Sequence, residues 1–517
     1  MLKRIYRSLM HRGGAVPYPD ADPHSDRRSL FDWSAAESFR NANAFEGVVI
    51  FGSTGSGKSS GSGRTLARSM LRAGYGGLVL SVKDERATWE RWSRESGRSE
   101  HLIVMQPGGE WTFNPFEFEL RRPGRGGGSV ENVIHLLSTL VGFADRGAAG
   151  KGGGREGEDY WRRAMQEMLR NFAWLLFLAR GTVTLDDLCR AISSAPRSLD
   201  EVGTEYWKSW SFCYELLVEA DAKASTLPAR RELVLVTDYV LKLFPGLSDR
   251  TRSVVVSSFT SMADVLRRGR MYELFGSRSS VTPQFSEEGC VILVDLPVLE
   301  FGMEGLLANA IMKHCWCQSI QRRDPLRSRR PVFLYIDEAH HLVTPEDALF
   351  TTTCRSARVS TVLITQSVAN LRTALGGGEG GRESADALLA NLNTRVFHAN
   401  GDATTNEFAS TLIGKRRQLL MNGSDSTTRQ GWAGDALGPS ANGQVSAGFS
   451  EQWDYEVRPE AFPLLRNGGE ANQGRVEAIV VKNGGAFRDT GAIWRLATFQ
   501  QGPRETQEKT KEAADVE

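Results

Sequence analysis

Gly52-Ser53-Thr54-Gly55-Ser56-Gly57-Lys58-Ser59 meets the pattern GxxxxGK[ST] at every fixed position. Upstream, the short apolar run Gly47-Val48-Val49-Ile50-Phe51 reads as a buried strand. Downstream, Thr65-Leu66-Ala67-Arg68-Ser69-Met70-Leu71 reads as a helix that Gly74 ends. A strand, a glycine-rich turn and a helix in that order are the context this pattern requires. Glycines let backbone N–H groups turn inward on a polyphosphate, and the helix N-terminus adds its positive dipole end. Lys58 is expected to reach the β- and γ-phosphates, and Ser59 to offer its hydroxyl to Mg²⁺, with Ser60 completing the set of loop residues.

Composition sets the bounds around this loop. The chain has 517 residues, 40% hydrophobic and 24% charged, enough for two or more globular domains. A net charge of +1 excludes a globally basic nucleic-acid binder but leaves room for local positive charge. The six cysteines show no paired metal-ligand spacing, which points to a reducing compartment. Cys315-Trp316-Cys317 is a CxC in an apolar helical stretch, where buried cysteine acts as a small hydrophobe. No apolar run reaches the roughly 20 residues of a bilayer span, and the basic start Met1-Leu2-Lys3-Arg4-Ile5-Tyr6-Arg7 lacks a signal-peptide core. The expected location is cytoplasmic, with a peripheral place at the inner membrane left open.

Periodicity divides the chain. Residues 1–43 are polar and read as a partly ordered lead-in. Residues 44–145 alternate strand and helix, with further buried strands at 77–82 and 101–105 and a helix at 130–141. Glycine-rich breaks fall at 123–128 and 147–157. Residues 155–275 then turn helical: Trp161, Met165, Met168, Leu169, Phe172, Leu175 and Leu176 recur at three- and four-residue spacing. The α/β pattern resumes over 285–500, with strands expected at 289–296, 331–336, 361–365, 394–398 and 474–481. Gly, Ser and Thr crowd residues 422–450, which read as a flexible loop, and the charged tail 501–517 reads as disordered. Strands alternating with helices argue a mainly parallel sheet covered on both faces, with an all-α domain inserted into it.

Nucleotide hydrolysis needs acids near the phosphates, and Val332-Phe333-Leu334-Tyr335-Ile336-Asp337-Glu338 supplies them at the end of an apolar strand. Asp337 is expected to hold Mg²⁺ through its waters, and Glu338 to polarise the attacking water as general base. Gln366, at the tip of the strand 361–365, is placed to sense the γ-phosphate. Arg355 precedes that strand and is the candidate arginine finger reaching a neighbouring subunit; Arg358 is the alternative. The basic run from Arg322 to Arg330 is either a nucleic-acid contact or a solvated loop.

These pieces in this order resemble the TraG/TraD class of coupling ATPases of conjugation and type IV secretion, within the FtsK/HerA group of DNA pumps. The likeness covers most of 44–500. Beyond the phosphate loop, it rests on Phe113-Asn114-Pro115-Phe116, Tyr160-Trp161-Arg162-Arg163-Ala164, Tyr335-Ile336-Asp337-Glu338-Ala339, Thr365-Gln366-Ser367 and the closing Thr498-Phe499-Gln500. The resemblance implies a RecA-like P-loop ATPase that uses ATP and Mg²⁺, a homohexameric ring drawing DNA through its centre, and a relaxase or secretion-channel partner. Two departures stand out. Membrane-anchored members carry N-terminal transmembrane helices, for which no stretch qualifies here. The family's aspartate-proline-lysine-glycine turn is replaced by Ser81-Val82-Lys83-Asp84-Glu85. Two alternatives stand beside the coupling reading. A HerA-like pump in repair or phage defence would work with a nuclease partner. A nucleotide-gated adaptor recruiting proteins would hydrolyse ATP slowly and be indifferent to DNA.

Overall fold

The computed structural model describes residues 25–124, 126–148, 155–324, 328–427 and 443–502. The lead-in over 1–24 and the tail beyond 502 lie outside the described residues. The described chain opens on an antiparallel hairpin of β1 (Ser29–Ser34) and β2 (Glu37–Arg40), whose Phe31 and Phe39 rings stack at 5.0 Å.

The apolar runs expected as strands are strands, short and mostly buried on both faces: β3 (Val48–Phe51), β4 (Gly76–Leu80), β5 (Leu102–Met105), β6 (Val291–Val294), β7 (Val332–Ile336), β8 (Val359–Thr365) and β9 (Thr394–Phe397). Continuous burial of this kind is the mark of a parallel sheet with helices on each side. Later strands are β10 (Lys415–Thr427), β11 (Gly443–Tyr455), β12 (Arg475–Lys482) and β13 (Trp494–Gln500). Nine of them form one sheet in the order β13-β12-β9-β3-β8-β7-β4-β6-β5. β4 through β8 pair in parallel, and the β12–β13 edge is antiparallel. The α/β expectation therefore holds.

By compactness the chain divides into two units, one of Met1–Val49, Ser62–Thr365 and Asn370–Thr394, the other of Ile50–Gly61, Gln366–Ala369 and Arg395–Glu517. In the first, Trp89 on the helix Arg86–Glu95 stacks on Phe333 at 5.9 Å and meets Tyr335 edge-on at 5.0 Å, which fastens that helix to β7. Buried Asn309, on the helix Val298–Gln321, accepts from the Ser81 N–H (3.0 Å) and donates to the carbonyls of Leu296 (3.0 Å) and Ser81 (3.3 Å). One amide thereby satisfies backbone groups just past the ends of β4 and β6 and fixes the turn that follows β4. The stretch expected to be all helical is so: helices run from Arg155–Arg180 to Gly269–Phe275 with no strand among the described residues between them. Asn114 caps the helix Pro115–Arg121, its Oδ1 accepting from the Glu117 N–H at 3.0 Å, so the Asn-Pro pair is a helix start.

Two expectations change in part. The segment 422–450 is strand, not loop, where it is described, at 422–427 and 443–450. β10 runs to Thr427 and β11 starts at Gly443, paired antiparallel from Lys415↔Tyr455 to Thr427↔Gly443 as a two-stranded ribbon; 428–442 lie outside the described residues. Small polar residues hide this strand pattern from a reading by composition, and the backbone pairing is what reveals it. In the basic run from Arg322 to Arg330, Arg323 and Arg330 turn onto the protein, while Arg322 and Arg329 stay exposed. Arg323 is buried and donates to the carbonyls of Ala357 (2.9 Å) and Arg330 (2.9 Å), while Arg330 donates to Gly74 O at 2.7 Å. Residues 325–327 of that run lie outside the described residues.

Candidate nucleotide site in two parts

The second unit holds the phosphate loop. Gly55 and Gly57 sit at φ +79° and +83°, where a side chain is strained. They differ in surroundings. A Cβ on Gly57 would lie 2.6 Å from Val476 Cγ2, whereas one on Gly55 would meet nothing within 4 Å. The loop is thus packed from below at Gly57 and open above Gly55, which leaves space for a ligand at the backbone. Ser56 is buried with its Oγ lacking a hydrogen-bond partner, and Lys58 is buried to 6% exposure. An orphaned hydroxyl, a buried ammonium and an open glycine crest suit a polyphosphate. Ser59 opens one wide turn (Ser59–Gly63) that leads into the helix Arg64–Arg72. The Gln501 side-chain amide donates to Ser60 Oγ at 2.8 Å.

Asn400, which motif reasoning passes over, organises this part. Its Oδ1 accepts from the Ser53 hydroxyl (3.2 Å) and the Asp402 N–H (3.0 Å), and its Nδ2 donates to the Gln366 carbonyl at 2.9 Å. The start of the phosphate loop and Gln366 are therefore tied through one side chain. The Ser53 N–H donates to Ala399 O at 3.0 Å. His398 is buried beneath the loop, its Nδ1 3.0 Å from Glu477 O. Burial, helped by the nearby Lys58 charge, pushes its pKa down to about 4 against the weaker pull of the Glu477 carbonyl, so the ring is neutral at pH 7.

The first unit holds the acids. Asp337 follows β7, fully buried, with the Lys83 ammonium 2.6 Å from its Oδ2 and the Glu338 N–H donating to its Oδ1 at 2.9 Å. Burial works against the Lys83 charge, but Asp337 outweighs it, with Glu85 and Glu338 adding to the pull, and the ammonium is held above its ordinary pKa. Glu85 is buried behind the pair. Burial first, then the Asp337 carboxylate, push it well above the usual carboxylate range. Lys83 and Glu85 belong to the turn Ser81-Val82-Lys83-Asp84-Glu85 that follows β4 and departs from the family's pattern. Their sequence signal was present, but their partner was not visible. Glu338 stands at φ +53°, ψ +47°, a left-handed position that glycine adopts more readily. Its Oε2 is 3.8 Å from His340 Nδ1, and that nitrogen lies 3.3 Å from the Thr365 hydroxyl.

Arg355 and Arg358 separate clearly. Arg355 ends the helix Glu346–Cys354 with its side chain 74% exposed and an ion pair to Glu46 at 3.3 Å. Arg358 lies over the Phe45 ring at 5.3 Å and pairs with Asp26 at 3.0 Å. Of the two, Arg355 has the freedom a finger requires.

Residues 331–451 match the family model described as the TraM recognition site of TraD and TraG. Among solved structures, the fold is similar to the bacterial conjugative coupling protein TrwBdeltaN70 in its unbound form, with a TM-score of 0.58 and 16% identity over 93% of this chain and 90% of that one. It is likewise similar to plasmid coupling protein TrwB in complex with ADP and Mg²⁺ (TM-score 0.57, 16% identity, 93% and 90% covered) and with a non-hydrolysable ATP analogue (0.56, 17%, 96% and 92%). At this identity the likeness establishes the fold, which is RecA-like, and the resemblance seen in the motifs is borne out at that level. A search of curated proteins gives no match. Among the described residues, no helix is long and apolar enough to cross a membrane.

Proposed function

We propose that this chain is an ATP-dependent DNA translocase or coupling protein serving conjugative transfer, with Mg²⁺ as cofactor. The observation that carries the proposal is the phosphate loop itself: buried Lys58, orphaned Ser56 Oγ and the open crest at Gly55. It gains support from a fold similar to coupling proteins solved with ADP and Mg²⁺ and with ATP analogues.

In this proposal residues 52–60 cradle the triphosphate through backbone N–H groups, and Lys58 takes the β- and γ-phosphates. Ser59 and Asp337 hold Mg²⁺, which supplies charge neutralisation on the phosphates when bound. Glu338 accepts the proton of the attacking water. Gln366, anchored through its own carbonyl to Asn400, responds to the γ-phosphate. Arg355 completes the site of a neighbouring copy in a homohexamer. The helical stretch 155–275 is an inserted domain that faces cargo or transfer machinery, and a relaxase or channel subunit is the expected partner class.

Hydrolysis measured with and without single- and double-stranded DNA, together with a mass measurement of the assembly, tests the proposal. DNA-stimulated turnover by a ring is expected; turnover indifferent to DNA would leave only the adaptor. Mixing Arg355→Ala with Lys58→Ala subunits should restore turnover, since intact loops then meet intact arginines. A mixture as inactive as its parts removes the finger.

A further inference from the structure

The foot of the β10–β11 ribbon carries side chains that ATP chemistry does not need. Lys415, Arg416 and Arg417 follow one another directly, and the side chain of Arg417 is 66% exposed. The register sets Lys415 opposite Tyr455 and Arg417 opposite Trp453. Side chains alternate across a strand, so Lys415, Arg417, Tyr455 and Trp453 share one face, while Arg416 and Asp454 share the other. The contacts agree: Lys415 Nζ is 5.0 Å from the Tyr455 ring centre, and the Arg417 guanidinium 5.6 Å from that of Trp453. On the opposite face the Asp454 carboxylate is engaged by Arg458 at 2.5 Å.

Two features make this face more than a packing detail. Trp453 remains 61% exposed, although an indole gains by burial, and among the described residues no third strand joins the ribbon. The acid on the same side, Glu451, stands 3.5 Å from Arg417 with both side chains more than 60% exposed, a pair that an incoming anion displaces at little cost. Cations beside two aromatic rings, one of them the exposed Trp453, complement a strand that offers phosphates and unstacked base faces together. Duplex DNA offers phosphates but keeps its base faces stacked. We infer that the face of Lys415, Arg417, Trp453 and Tyr455 binds single-stranded nucleic acid without regard to sequence, cations on phosphates and Trp453 on a base. The inference rests on the DNA-translocase proposal and deepens it by assigning the contact.

The test is fluorescence anisotropy on the full chain with a labelled oligo-dT of about 30 nucleotides, longer than a single stacking platform spans. Lys415→Ala/Arg417→Ala should weaken binding about tenfold near 0.1 M salt and reduce the log–log salt slope by about 1.4, the share of two phosphate contacts. Trp453→Ala should weaken it by roughly 5- to 100-fold with the slope unchanged, and Trp453→Phe should recover most of the loss. Arg121→Ala, an exposed cation elsewhere, should leave affinity alone. Circular dichroism and melting confirm that each variant is folded. If wild type binds the oligonucleotide and the ribbon variants match it in affinity and slope, the assignment is wrong while the translocase proposal survives. The assignment is equally wrong if the variants lose only a protein partner. If wild type binds no nucleic acid and its ATPase ignores DNA, both fall.

Discussion

The two units handle their buried polar groups in opposite ways. In the first, the surroundings of Asp337 are a matter of charge balance: Lys83 answers the carboxylate at 2.6 Å, and burial with the Asp337 carboxylate pushes Glu85 upward in pKa. In the second, the phosphate loop is built by shape: two left-handed glycines, one braced by Val476 and one facing open space, above a histidine that burial keeps neutral. A charge-balanced cluster should suffer most when a charge is altered. A shape-built cradle should suffer most when volume is added.

The sharpest way to break the contrast is Glu338→Gln. It preserves shape and removes one charge, and should slow turnover by about 10²–10⁴-fold while leaving nucleotide affinity nearly intact. Equal turnover in a coupled-enzyme assay would move the base elsewhere. Lys58→Ala comes next and tests whether the second unit depends on one charge after all. Fluorescent-nucleotide titration should show ~2–5 kcal/mol of binding lost, and unchanged affinity would remove the phosphate-loop assignment.

A glycine pair then probes shape alone. Gly57→Ala combines a left-handed backbone cost with a clash against a β-branched side chain, ~2–4 kcal/mol of stability in denaturant melts. Gly55→Ala meets only the backbone cost, ~1–2 kcal/mol, so any larger fall in its nucleotide affinity measures how closely the ligand approaches there. Equal destabilisation by the two would contradict the open crest.

The smallest effect is one of pH. The folded pKa of His398 is depressed to about 4 from an ordinary 6.5. Between those values the unfolded chain takes up a proton that the folded chain refuses. Its contribution is therefore intact above pH 6.5 and falls as pH drops toward 4, by ~2 kcal/mol at pH 5. His101 and His314 are likewise depressed and add to the slope, so the measurement is the difference between wild type and His398→Asn. Parallel stability–pH curves would mean that the ring titrates normally.

Much of this was legible in the sequence, and the limits have physical reasons. Strands β3 to β9 and the phosphate loop are local patterns, apolar runs and glycine spacing, which survive without knowledge of their neighbours. Asp337 and Glu338 were legible because they end such a run. Lys83, Glu85, Asn400 and His398 were not, because each is defined by a partner far away in the chain, and no period records that. The ribbon escaped for a different reason: its glycines and serines imitate a loop, while its defining feature is backbone pairing.

Glu338 has a consequence for anyone selecting heat-resistant forms of this protein. Its left-handed backbone would be relaxed by glycine or asparagine. A screen that rewards survival at high temperature alone should therefore drift toward those residues at 338 and, under the base role proposed for Glu338, return robust molecules that no longer turn over. Breeding for durability here must carry a second selection for work.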